Sequence, residues 1–533
     1  MLADPRWQVP LAALVRQAAL APAQEVFVVD EHGRSLTYRE FARLCDEVAT
    51  SLARLGVRAR MRVAWQLPTW IEAFVLTGAL SLLETVQIPL PYGYREHELA
   101  SAIRETEASV LIAPTSWRAR DHAAMTRAVA QQSPGTRCLT MDRSPLDSAA
   151  WFSEDHEPIR LVSPAAAFDD DVRWVFFTSG TSSRPKAVLH TDRSVTVPST
   201  TMADRFLLTS HDRAAIAFPL GHIGGVNWLV AALQTHCMLL LSERFDGDAV
   251  AFFDDQNVTL PGVSTVFHLA YLNYARSRPS GTCFGRVRAF PGGAATKPPS
   301  LQYGLRREIG GVGIVSGFGL TECPMISMSA VSDPESKLAH TEGRLSPGVE
   351  VEIRDLASPQ VRPPGLDGEI WVRGPQLFRG YADAEMSRTA FDDDGYFRTG
   401  DVGHFDAEDY LTITGRLKDV IIRKGENISA KEIEDHLYSH PAVADAAVVG
   451  LPDVATGERC CAVVVIEHGH GALTLRSIAD HLRHWGVTPY KWPEQLEVVD
   501  ALPRGASGKI LKNQLIAALG GSSVPQPNTY REN

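Results

Sequence analysis

Short apolar runs that do not alternate in polarity recur along the chain, separated by stretches with helical spacing. "MRVAWQLP" (61–68), "VRWVFFTSG" (172–180), "AAIAFPLGHIGG" (214–225), "VRAFPGGAA" (287–295) and "VGIVSGFG" (312–319) each lead from β-branched or aromatic residues into a glycine- or proline-rich turn. Such runs predict strands buried on both faces. "YREFARLCDEVATSLARLG" (38–56) and "FHLAYLNYARS" (267–277) predict helices between them. The most apolar window, "AFVLTGALSLL" (73–83), is about half the ~20 residues of a membrane span and abuts Glu84, so it predicts a buried helix. Strand–helix alternation predicts a large α/β N-terminal domain with mainly parallel buried sheets. Ligands of such sheets collect beyond the carboxyl ends of the strands, where the glycine-rich turns fall, so these turns are expected to face one cleft.

Near residue 415 the pattern changes. Strands "VIIR" (420–423), "AAVVGL" (446–451) and "AVVVIE" (462–467) mix with helices near 430–439 and 474–485, the first preceded by a capping box of Ser429 and Glu432. This predicts a small mobile α+β C-terminal domain on a hinge, dividing the chain into 1–417 and 418–533. The polar end, "GGSSVPQPNTYREN", is expected to fray.

Composition narrows the partners. At 533 residues the chain exceeds one core. A net charge of −11 argues against a nucleic-acid or anionic-membrane surface. The N-terminus, "MLADPRWQVP", has no basic region followed by an apolar core, so secretion is not expected. Seven scattered cysteines form neither a disulfide framework nor a metal spacing, which points to the cytoplasm.

"TSGTSSRPKAVLHT" (178–191) has the chemistry of a phosphate-holding loop: the hydroxyls of Thr178, Ser179, Thr181, Ser182 and Ser183, Gly180, backbone amides, and Lys186. It is not a P-loop, because Pro185 precedes the lysine and Ala187 follows it. "GFGLTE" (317–322) offers close backbone approach, a hydroxyl at Thr321, and at Glu322 a carboxylate suited to Mg²⁺. In "GYFRTGD" (395–401), Asp401 suits the two hydroxyls of a ribose, and Arg416 of "GRLKD" (415–419) suits a ribose or phosphate. "PRGASGKILK" (503–512) presents Lys509 on a flexible loop. Taken singly, each has a bland alternative: a surface linker, a glycine turn, a turn aspartate, a surface arginine or lysine.

In order, these motifs, with "GRLKDVIIRKGENISAKEIE", resemble the acyl-adenylate-forming superfamily from about residue 30 to 515. The resemblance implies that Gly180, Thr181 and Lys186 hold the β- and γ-phosphates of ATP. It implies that Gly292, Gly293 and Ala294, with Gly317, Phe318 and Gly319, flank the adenine, Phe318 replacing the usual tyrosine. Thr321 would contact the α-phosphate, Glu322 with Thr181 the magnesium, and Asp401 and Arg416 the ribose. Lys509 would bridge the acid and the α-phosphate. Rotation about Lys418 would then exchange Lys509 for the loop of Lys424 and Gly425. The chain departs from the family at Ser183 and Ala187, where glycines are usual.

The same resemblance places the acid beside 219–228, 267–272, Gly292 and Phe318. His222 either lies near the substrate carboxylate or packs as a structural histidine. A hydrophobic cyclic or aromatic carboxylate is favoured over a medium or long fatty chain. CoA is the expected acceptor, with Arg423, Lys424 and Lys431 near its diphosphate; a carrier protein's phosphopantetheine is the alternative. A homodimer is left open.

Overall fold

The computed structural model describes residues 4–519 apart from 119, 145, 147–150, 153–170, 179–184, 280, 294–296, 357, 359, 424–425, 455 and 506–507. A six-stranded sheet lies at its centre, in the order Lys186–Thr191, Val172–Thr178, Val86–Pro89, Arg62–Trp65, Val110–Ala113 and Arg137–Thr140. All its neighbours are parallel except the first two. Its strands do not alternate in polarity because both faces are covered. Val63, Trp65, Ile112 and Trp174 join the largest apolar core, while Ala64, Ile88, Leu111 and Val175 join a second. The helix Ile71–Leu82 is buried all round, as its sequence predicts.

A second sheet places Arg213–Ile216, Met238–Leu241 and Val26–Asp30 in parallel, with Ser35–Thr37 antiparallel at the edge. In a third, Phe290–Gly292 runs parallel to Ile314–Phe318, which continues antiparallel into Ser327–Met328 and Arg344–Leu345. Both glycine motifs thus emerge side by side.

Two local features lay outside the sequence expectations. The strand Val172–Thr178 does not end at the phosphate-type loop. It turns back as a hairpin, with Lys186 paired to Thr178. Between 350 and 416 lies a four-stranded antiparallel sheet: Glu350–Arg354, Gly368–Arg373, Phe397–Phe405 and Leu411–Arg416. Its strands carry many charged, half-buried residues, so a search for continuous apolar runs passes over them.

The C-terminal part forms a fifth sheet of Glu426–Ser429, Val420–Arg423, Gly457–Ile466, Val443–Asp453 and Gln495–Val498. Its apolar clusters draw only on residues 421–519, so the smaller domain has its own cores. The short turn Leu417–Asp419 joins it to the large one. At the helix Ala430–Tyr438 only half of the capping box forms. Ser429 Oγ accepts the Glu432 N–H and donates to the Thr414 carbonyl, while the Glu432 carboxylate turns to Lys491.

Ser429 is therefore both a helix cap and a tie to the large domain. Ser429→Ala should cost about 1–2 kcal/mol in urea denaturation, the range of a lost cap. Glu432→Ala, removing a partly exposed ion pair, should cost less than about 1 kcal/mol.

Candidate active site

Three segments meet at the carboxyl end of the central sheet. The hairpin brings Lys186 to its mouth, and residues 379–382 run beside it through bonds of Leu189 N–H to Gly380 O, Arg379 N–H to Leu189 O and Ala382 N–H to Ala187 O. Tyr381 is thereby placed with its ring 5.0 Å from Lys186 Nζ. Its hydroxyl donates to Glu322 Oε1 at 2.9 Å, and the Phe378 N–H donates to the Glu322 carbonyl at 2.8 Å. Glu322 Oε2 has no partner among the described residues, leaving one carboxylate oxygen for a hard cation. Ala187, where the resemblance expects glycine, is a strand residue buried in the second core, so its methyl is accommodated.

The glycine motifs lie on neighbouring strands: Gly292 pairs with Ser316, and Gly317 and Phe318 pair with Met328 and Ser327. Gly293 follows in the same turn. A side chain at Gly319 would stand 2.4 Å from the Met325 nitrogen, so the turn carrying Thr321 and Glu322 closes only around glycine.

Two buried histidines hold these turns from behind. His190 Nε2 lies 2.7 Å from the Thr321 carbonyl and Nδ1 2.8 Å from Ser194 Oγ. A carbonyl only accepts, so Nε2 carries the proton and Ser194 donates to Nδ1. His268 Nε2 likewise donates to the Pro291 carbonyl at 2.8 Å. Burial holds each imidazole down to about 4, against an ordinary 6.5, so both are neutral. Lys297 is buried too: its ammonium donates to Ser316 Oγ and to the Leu338 and Thr341 carbonyls, and burial lowers its pKa.

Across the cleft, basic side chains gather. Asp401 pairs in register with Arg416, whose Nε lies 2.5 Å from its carboxylate. Burial raises Asp401's pKa against the pull of Arg416, Lys509 and Lys418. Arg504 donates to the Gly508 carbonyl and pairs with Asp445, shaping the loop that carries Lys509. Gly508 has φ +81°, and a side chain there would stand 2.9 Å from Ser264 Oγ, so glycine allows this loop to seat against the helix Thr265–Arg276. Water reaches Lys509, yet protein encloses it on most sides. Lost hydration first, then repulsion from Arg416 and Lys418, pushes it down to about 8. Lys418 is lowered by burial first, then by Arg416 and, more weakly, by Lys186.

The structure thus gathers Lys186, Glu322, Thr321, Asp401, Arg416, Lys418 and Lys509. His222 caps the helix Ile223–Thr235, with Nδ1 accepting the Gly224 N–H at 3.1 Å; the ring is exposed on one side, yet the protein around it removes enough hydration to lower its pKa. Nothing among the described residues ties it to this cluster. Ser179, Gly180, Thr181, Ser182, Ser183, Ala294, Lys424 and Gly425 lie outside the described residues. Tyr381 and Lys297 belong to the site but to none of the motifs, while His190 and His268 fall within 178–191 and 267–272 without the sequence giving either a role. The one local hint is the aromatic residue after glycine in "FRGYAD" (378–383).

The imidazoles give a spectroscopic prediction. Nitrogen-15 NMR of the histidine rings should show His190 and His268 as neutral Nε2–H tautomers at pH 6.5, titrating near pH 4; protonation near 6.5 would contradict the geometry. Because the unfolded rings take up protons first, these groups should make the fold lose stability as pH falls from 6.5 to 4.

Comparison with known proteins gives the same account. The AMP-binding enzyme profile matches residues 14–382, and the AMP-binding enzyme C-terminal domain profile matches 432–509. The chain is 32% identical to a medium-chain fatty-acid–CoA ligase of Escherichia coli (strain K12), over 94% of this chain and 89% of that one. It is also 32% identical to a feruloyl-CoA synthase of Amycolatopsis sp, over 95% and 98%. The crystal structure of ATP-bound MatB from Rhodopseudomonas palustris superposes with a TM-score of 0.83 at 27% identity, over 95% of this chain and 98% of that one. With its large α/β domain, its smaller C-terminal domain and one glycine- and lysine-lined cleft between them, the chain belongs to the AMP-binding enzyme family.

Proposed function

We propose that the protein is an AMP-forming acid–CoA ligase. The carrying observation is that Lys509, from the smaller domain, enters the cleft holding Lys186, Lys418, Arg416 and Asp401. Four cations opposed mainly by Asp401 and Asp419 repel one another. Arg416 and Lys418 lower the pKa of Lys509, and Arg416 and Lys186 that of Lys418, so their proximity carries an electrostatic cost. A polyphosphate relieves that cost, and a second anion, the acid carboxylate, is drawn in beside it.

In the first step a carboxylate oxygen bonds to the α-phosphorus of ATP as its bond to the pyrophosphate oxygen breaks, giving acyl-AMP. Lys186 holds the departing phosphates and Lys509 neutralises charge between carboxylate and α-phosphate. The Thr321 hydroxyl, its backbone fixed by His190, contacts the α-phosphate. Asp401 accepts the ribose hydroxyls after exchanging part of its bond to Arg416. Glu322, with Thr181, is the site for Mg²⁺, which when bound neutralises phosphate charge. In the second step the CoA thiol attacks the acyl carbon and AMP leaves with the electron pair.

Rotation of 418–533 about Lys418 would separate the steps, removing Lys509 and presenting the loop of Lys424 and Gly425. The three-residue turn Leu417–Asp419 supports that motion, and among the described residues the bond of Ser429 to Thr414 is one tie between the domains. We favour a hydrophobic ring acid over a long chain. Phe245 packs on Phe267 and Tyr271 of the helix Thr265–Arg276, with ring centroids 4.2 and 5.5 Å apart, and this aromatic cluster at 267–272 supports a short pocket. Seven unbridged cysteines support a reducing, cytoplasmic setting.

Incubation with ATP, Mg²⁺ and a panel of ring and chain acids, with and without CoA, should yield a ring acyl-CoA and AMP by mass spectrometry. Palmitate outperforming every ring acid would overturn the acid class, and acyl-AMP persisting beside untouched CoA would move the acceptor to a carrier protein. Lys509→Ala should abolish adenylation yet largely spare conversion of supplied acyl-AMP to acyl-CoA; equal loss of both would contradict the two-conformation scheme.

The lysine also sets a pH dependence. Its charged form is lost above pH 8, far below the ordinary 10.5, so kcat/KM for adenylation should fall above pH 8. Lys509→Arg should lose that limb. Between pH 8 and 10.5 the unfolded chain binds the extra proton, so this group makes stability rise with pH across that window.

A further inference from the structure

Tyr381 touches both oppositely charged groups of the phosphate end of the cleft. Its hydroxyl donates to Glu322 Oε1 at 2.9 Å, and the Lys186 ammonium sits 5.0 Å from its ring centroid. The side chain is only 7% exposed and cannot follow either partner. Its backbone bridges Val188, its N–H donates to Ser387 Oγ at 2.7 Å, and its ring stands edge-on to Phe378 at 4.9 Å. Phe378 packs in turn on Phe391 and Phe397. Burial raises the phenol's pKa and the Glu322 charge raises it further, so the hydroxyl remains a donor across the working pH range.

Neither Lys186 nor Glu322 forms an ion pair among the described residues. Two opposite charges on either side of one fixed ring would otherwise close on each other, and a direct pair would have to be broken for each nucleotide bound. A phenol gives each a weaker, exchangeable contact: a hydrogen bond for the carboxylate and a cation–π contact for the ammonium.

We propose that Tyr381 is a positioning residue of the adenylation step, holding the Glu322 carboxylate and the Lys186 ammonium apart and aimed so that they meet MgATP rather than each other. This rests on the ligase reading above, in which Lys186 holds phosphates and Glu322 is the Mg²⁺ site. It assigns work to a residue outside the nucleotide-binding motifs, acting through two groups that lie within them.

The test is acid-dependent ATP–pyrophosphate exchange, measured against MgATP concentration, with the unfolding midpoint of every variant determined alongside. Tyr381→Phe keeps the ring and loses the hydroxyl. It should raise KM for MgATP about tenfold, the scale of one hydrogen bond to a charged group, with kcat changed much less. Tyr381→Leu, lacking both contacts, should fall further in kcat/KM; if it does not fold, the Phe variant decides alone. In a Glu322→Gln background, where exchange is lost and ATP binding is read instead by isothermal titration, no carboxylate remains to draw Lys186, so adding Tyr381→Phe should change the Kd for ATP less than about twofold. A purely structural tyrosine would cost the same in both backgrounds and lower the midpoint.

Two failures are distinguishable. Unchanged MgATP dependence in Tyr381→Phe, while Lys186→Met and Glu322→Gln lose exchange, would overturn the proposal and leave the ligase reading standing. Full exchange in Lys186→Met and Glu322→Gln would overturn the reading beneath it as well.

Discussion

Like charges held together in one cleft are the constraint on which this structure turns. Lys186, Lys418, Arg416 and Lys509 come from two domains, and lost hydration first, then repulsion from neighbouring cations, lowers the pKa of Lys418 and Lys509. A protein left to itself would spread such groups into water. Holding them together needs rigid support, which the central sheet supplies for Lys186 and the strand Leu411–Arg416 for Arg416, and it leaves a standing attraction for a polyanion. In the proposed two-step scheme the same repulsion favours moving one cation away once a phosphate has left.

The support is largely neutral hydrogen bonding rather than further charge. His190 and His268 fix the carbonyls of Thr321 and Pro291 as uncharged donors, so the turns around the nucleotide pocket are held without adding to the positive field. Lys297 contributes three hydrogen bonds from a buried ammonium behind the same strand. Tyr381 extends this logic to the phosphate end, where a phenol stands between an ammonium and a carboxylate. Reactive groups face the cleft, and their orientation is set from the core side.

How much of this was legible in the sequence depends on the range of the interaction. The α/β architecture, the buried helix Ile71–Leu82 and the smaller C-terminal domain follow from local apolar patterns, and the glycine turns fall where those patterns end. Glu322, Asp401, Arg416 and Lys509 stand out because each sits in a short glycine-bearing motif, although Asp401 and Arg416 lie in paired strands and not in the turns that the sequence suggested. Tyr381, His190 and His268 do not, since each acts through tertiary register: the Val188–Tyr381 bridge, and contacts to carbonyls 131 and 23 residues away. The 350–416 sheet was missed because its half-exposed strands carry charge. The Ser429–Glu432 capping box formed only halfway because Lys491, distant in sequence, took the Glu432 carboxylate.

The central claim is that a carboxylate oxygen attacks the α-phosphorus inside this cleft. The most direct test is turnover of a ring acid labelled with ¹⁸O in its carboxylate, with all phosphate-bearing products analysed by mass spectrometry. The account predicts one labelled oxygen in AMP and none in pyrophosphate. Label appearing in inorganic phosphate or pyrophosphate, with AMP unlabelled, would contradict it.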